Sequence, residues 1–104
     1  MKSKIDIVSA VAKEFDVFIH VNLVGEDVVR EIENAIFDAV AEGAVRLTLH
    51  LREVNYVSSA GLALLVKLHT KSIIAGSSLV LKGVNPPVFN LLDLTKLKGI
   101  FSYE

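Results

Sequence analysis

The chain has 104 residues, a length that suits a single domain spanning 1–104 and can bury one hydrophobic core. Hydrophobic residues make up 52%, which excludes a disordered chain, and the lack of cysteine excludes disulfides, thiolate nucleophiles and cysteine-based metal sites. Eleven basic and 12 acidic residues leave a net charge of −1, so no field draws in nucleic acid.

The start, Met1-Lys2-Ser3-Lys4, has the charge of a secretory leader, but Asp6 and Lys13-Glu14 interrupt the next stretch and no apolar leader core appears. Ile5–Ala12 alternates loosely, Lys13-Glu14-Phe15-Asp16 reads as a polar turn, and Val17–Val24 alternates clearly. Val17, Ile19, Val21 and Leu23 fall on one face, and Phe18, His20 and Asn22 on the other. These stretches predict an opening hairpin that ends at Gly25. The period then changes: Val28, Val29, Ile32, Ile36, Phe37 and Val40 recur at helical steps, with Asp27 as cap and Gly43 at the C-terminal end. Val45–Leu51 is the next strand, with Val45, Leu47, Leu49 and Leu51 inward, and Glu53–Val57 is a short connection.

Ser58-Ser59 opens a second helix that carries Leu62, Leu65, Val66, Leu68 and Ile73 and stops at Gly76. Its Ala60–Val66 stretch is the longest uncharged hydrophobic run, far short of the ~20 residues needed to span a bilayer. Ser78–Lys82 is a strand, Asn85-Pro86-Pro87 starts a third helix over Val88–Leu97, and Ile100–Tyr103 is a short closing strand or tail. The order β-β-α-β-α-β-α, with or without a final β, predicts an α/β sandwich whose mixed sheet is covered by helices. A soluble, cytoplasmic protein with no membrane insertion is expected.

Enzymatic patterns are missing. No G-x-x-x-x-G-K-[ST] phosphate loop occurs. Val57-Ser58-Ser59-Ala60-Gly61 lacks the first glycine of the G-x-S-x-G elbow. His20, His50 and His69 have no metal-ligand spacing and read as surface or edge residues, with His20 and His50 on polar strand faces that could approach each other. The carboxylates read as a solvated helix face, not a catalytic pair. These features imply no enzyme, metal, cofactor or small-molecule substrate. What remains is the serine pair at a strand-to-helix junction, where free N–H groups and the helix dipole favour negative charge. One serine suffices as a cap. A phosphate on the other would carry about −1.5 to −2 charge, tolerated by the helix start and repelled by a surface packed on it.

The run Leu51-Arg52-Glu53-Val54-Asn55-Tyr56-Val57-Ser58-Ser59-Ala60-Gly61-Leu62-Ala63-Leu64-Leu65 resembles the signature segment of STAS domains, the anti-sigma factor antagonists. In that family a strand leads into Asp-Ser-Ser/Thr/Ala-Gly-Leu, and the phosphorylated serine stands two residues before the glycine. Asn85-Pro86-Pro87-Val88-Phe89-Asn90-Leu91-Leu92 and Leu94-Thr95-Lys96-Leu97-Lys98-Gly99-Ile100-Phe101 are similar to the family's closing helix and strand. The resemblance implies a domain that binds an anti-sigma factor with serine-kinase activity, is phosphorylated on Ser59 from the kinase's ATP, and is reset by a phosphatase. It further implies partner contacts at Tyr56, Val57, Ser58, Ala60, Gly61 and Leu62, and more weakly at Gly25, Glu26 and Asp27.

Two positions depart from the pattern. Ser58 replaces the usual acid and is the second candidate for phosphorylation, and the Gly25-Glu26-Asp27 loop places its acid one residue early. The Ser59–Leu65 run is also similar to STAS scaffold subunits of lipid-transport ATPases, which are not switched. A small serine hydrolase built on Ser59 with His20 or His50 is the remaining alternative.

Overall fold

The computed structural model describes residues 3–9 and 11–104. Met1 and Lys2 of the basic start, and Ala10 of the expected first strand, lie outside the described residues. Among the described residues the order is β1 (Ile5–Ser9), β2 (Glu14–Ile19), α1 (Glu26–Ala41), β3 (Arg46–His50), α2 (Ser59–Ala75), β4 (Ser78–Lys82), α3 (Pro86–Leu94) and β5 (Ser102–Tyr103). Short 3-10 turns occupy Val11–Lys13 and Lys98–Ile100.

The strands form one mixed sheet in sequential order, with β1 antiparallel to β2 and the other neighbours parallel. The closing strand exists: Ser102 and Tyr103 pair with Val80 and Leu81. Each parallel connection steps one strand in the same direction, so right-handed crossovers place all three helices on one face. Burial agrees. Val17, Ile19, Leu47, Leu49, Leu79 and Leu81 are buried on the helix side, while Asp16, Phe18, Thr48 and His50 are half-buried on the other. The helices contribute Ile32, Ile36, Leu64, Leu65, Leu68 and Leu92 to the core. By area this core dominates stability, at roughly 1.5–3 kcal/mol for each fully buried large side chain.

The chain departs from the sequence reading at several points. The expected polar turn at Lys13–Asp16 is mostly strand, because β2 starts at Glu14. The reversal lies just before it, at Ala12 (φ 58°) and Lys13 (φ 61°), two non-glycine residues in the left-handed region. β2 also ends at Ile19; Leu23 leaves the sheet and makes a single parallel bridge with Val57. Asp27 does not cap α1. The cap position is Gly25 at φ 91°, and Glu26 and Asp27 lie in the first turn, where their charge suits the positive end of the helix dipole.

Val45 is 56% exposed, since β3 begins one residue later at Arg46. α2 turns Leu64, Leu65, Leu68 and Ser72 inward and leaves Ile73 64% exposed, so its buried face is rotated from the one predicted. The third helix starts at Pro86 and stops at Leu94, short of Leu97.

Candidate functional site

Three loops meet at the C-terminal ends of β2, β3 and β4: residues 20–25, 51–58 and 83–85. Backbone bonds zip the first two together. Leu23 N–H donates to Tyr56 O (3.0 Å), and Ser58 N–H donates to Leu23 O (2.9 Å). Asn22 reinforces the seam, its Oδ1 accepting from the backbone N–H of Asn55 (2.8 Å) and Tyr56 (3.2 Å). From the other side Asn85 Nδ2 donates to Arg52 O (2.7 Å) and Val54 O (3.0 Å) and lies 3.2 Å from Asn55 Oδ1. Val54 is fully buried and anchors the middle of the segment. The candidate turn is thus a fixed shelf, as buried backbone polar groups require.

Ser58 and Ser59 stand on this shelf in different states. Ser58 is the cap of α2: in extended conformation (φ −80°, ψ 177°), its Oγ accepts from Gly61 N–H (3.3 Å) and donates to Leu23 O (3.1 Å). Ser58 is half-buried and both of its hydrogen-bonding roles are used. Ser59, the first residue of α2, is exposed, and its hydroxyl has no partner among the described residues. It begins a helix of 17 residues, with the positive end of the dipole at Ser59.

Gly61 has a clear physical reason. A Cβ there would lie 2.5 Å from Leu23 O, 2.8 Å from Leu23 Cβ and 2.8 Å from Val57 Cγ1. Only glycine lets the first turn of α2 press against the Leu23 loop. Gly61 and Val57 are buried, so their contribution to the turn is internal packing. The surface around Ser59 is offered by Tyr56, which is 64% exposed, and by the half-buried Ala60 and Leu62. Leu62 also packs against the core.

The structure brings one member of the second candidate group to this turn. Glu26 and Ala60 line a single groove of 230 Å³ between α1 and α2, with Val29, Arg30, Glu33, Ala63 and Lys67. Gly25 and Asp27 do not line it. The residues that sequence reasoning missed are Asn22, Leu23 and Asn85. Asn85 stands at the cap position of α3, yet its side chain makes no cap bond and holds the neighbouring loop instead.

The histidines are engaged elsewhere and not with each other. His20 lies between two carboxylates, its Nδ1 bonded to Glu53 and its Nε2 2.9 Å from Asp6 Oδ2. The hydrogen bond to Glu53, then the one to Asp6, raise its pKa above the ordinary 6.5. His50 Nε2 lies 2.8 Å from Asp16 Oδ1, and its ring stacks on Phe18 at 4.1 Å. Neither ring bonds Ser58 or Ser59, so among the described residues these histidines form no serine–histidine pair of the hydrolase type.

Comparison with solved structures finds the same architecture. The crystal structure of TM1081 from Thermotoga maritima, assigned as an anti-sigma factor antagonist, superposes with a TM-score of 0.83 at 22% identity, covering 96% of this chain and 84% of that one. The anti-sigma factor antagonist SpoIIAA in its unphosphorylated form gives 0.78 at 16% identity, covering 96% and 87%. A sulfate transporter family protein from Wolinella succinogenes gives 0.72 at 18% identity, covering 92% and 80%. No curated protein sequence matches. At these identities the likenesses establish the fold alone. The family model of the STAS domain, however, matches residues 21–104, from the Leu23 loop through β5, and the chain therefore belongs to the STAS domain family.

Proposed function

We propose that this chain is a single-domain anti-sigma factor antagonist whose state is set by phosphorylation of Ser59. Unphosphorylated, it docks on an anti-sigma factor that is also a serine kinase, through Tyr56, Ser59, Ala60 and Leu62 with Glu26 at the rim, and so frees the sigma factor. In the transfer, Ser59 Oγ takes the γ-phosphoryl group of the kinase's ATP, ADP leaves, and the hydroxyl proton passes to a base of the kinase or to water. The new dianion sits where the domain's own helix dipole tolerates it and where a packed partner surface does not. A phosphatase restores the serine. The domain supplies no catalysis of its own, and the pathway is cytoplasmic. No helix among the described residues is long and apolar enough to cross a membrane.

The observation that carries the reading is the division of labour between the serines: Ser58 is spent on the cap, and Ser59 is exposed and unbonded at the start of α2. That contrast supports Ser59 over Ser58 although Ser58 stands in place of the family's usual acid. SpoIIAA is a similar fold solved in unphosphorylated and phosphorylated forms, which supports a phosphorylation switch on this scaffold. A second reading rests on the Ser59–Leu65 run, a STAS scaffold subunit of a lipid-transport ATPase that is not switched; the sulfate transporter family neighbour supports only that this fold also occurs outside the antagonists.

Affinity capture from the native host separates the two. The antagonist reading predicts recovery of a kinase-like sigma regulator by wild type and Ser59→Ala, and its loss with Ser59→Asp. Recovery of a transport ATPase that is indifferent to Ser59→Asp would establish the scaffold.

A further inference from the structure

A cleft of 440 Å³ opens where the uncovered face of the sheet reaches the C-terminal ends of β2, β3 and β4, lined by Phe18, Ile19, His50, Arg52, Glu53, Lys82 and Gly83. This is the general position for ligands in open α/β sheets, outside the carboxyl ends of parallel strands. Its floor is built by register: Phe18 pairs with His50 across β2–β3, and His50 pairs with Lys82 across β3–β4. The Phe18 and His50 rings stack face to face on each other with planes 13° apart, so the half-buried pair offers its edges and outer faces to the cleft, which Lys82 also lines.

The charge of the cleft is unbalanced. Arg52 is exposed, and its guanidinium has no hydrogen-bond or ion-pair partner among the described residues. Among the described residues Lys82 reaches only Glu104, at 3.9 Å. The single carboxylate in the lining, Glu53, is bonded to His20. Two cations therefore line a cavity whose one acid among the described residues is already bonded.

We infer that this cleft is a binding site for a small aromatic anion, a flat ring bearing a carboxylate or phosphate. The head group pairs with Arg52 and Lys82, the first capable of bidentate hydrogen bonding, and the ring lies against Phe18 and His50. The site shares no side chain with the Ser59 surface and does not depend on the antagonist reading.

The test is a calorimetric or NMR titration of the full chain at low ionic strength with phenyl phosphate, benzoate and inorganic phosphate. Arg52→Gln and Lys82→Gln are both exposed-site variants, checked by an unchanged unfolding midpoint. The expected result is saturable binding of at least one aryl anion, tighter than inorganic phosphate, weakened about tenfold by Arg52→Gln and less by Lys82→Gln. The better of the two aryl probes then names the head group. No saturable binding of either aryl anion, equal binding of phenyl phosphate and inorganic phosphate, or affinity unchanged in both variants would overturn the inference.

Discussion

At Gly61 the first turn of α2 lies against Leu23 O with no room for a methyl group, since a Cβ would fall 2.5 Å from that oxygen. Because the obstacle is backbone, Gly61→Ala should cost about 1–3 kcal/mol, read as a lower urea midpoint. The neighbouring serines should separate cleanly. Ser58→Ala removes a cap and lowers stability by about 1 kcal/mol while leaving Ser59 available; Ser59→Ala leaves the urea midpoint nearly unchanged. His20 adds a pH signature. Its pKa is raised in the folded protein by Glu53 and then Asp6, so its contribution is fully present below the unfolded value of 6.5 and is lost as pH rises through the higher folded value. Urea titrations above pH 6.5 should show wild-type stability falling relative to His20→Gln; parallel curves would remove His20 from that role.

The loops behave as an element of their own, held by two amides. Asn85→Ala strips Arg52 O and Val54 O of their donor, and a loss of about 1–3 kcal/mol is expected, with amide exchange accelerated across residues 51–58. In α2 the change runs the other way. Ser72 Oγ is buried without a partner among the described residues, so Ser72→Ala should leave stability unchanged or raise it by up to about 1 kcal/mol.

Much of this level is legible from residue pattern. Ser78–Lys82 reads as a strand at its observed bounds, Gly76 ends α2 in the left-handed region, and the junction at Ser58-Ser59 is where a strand-derived loop becomes helix. The failures have physical causes. The turn before β2 uses left-handed Ala12 and Lys13, which no glycine announces. The alternation continues through Val21 and Leu23, but Leu23 pairs with Val57 outside the sheet, a tertiary choice that local pattern does not encode. α2 is apolar on nearly every side, so periodicity leaves its inward face open, and the close approach at Gly61 decides it. The serine pair is visible in the sequence; which serine is occupied follows only from the bonds to Leu23 and Gly61.

Across the whole molecule, the sequential strand order puts all helices on one side and all three site loops at one end of the sheet. The proposed partner surface is the α2 start with the adjoining α1–α2 groove, and the cationic cleft lies on the uncovered face. A fold arranged this way can change a partner's affinity by one surface charge without moving its core, which is the central claim for Ser59. Peptide mapping by mass spectrometry after incubation with ATP and the kinase captured from the host tests it most directly. The account predicts one phosphate, located on Ser59, absent from Ser59→Ala and retained in Ser58→Ala. Equal modification of Ser59→Ala, or a phosphate confined to Ser58, would contradict it.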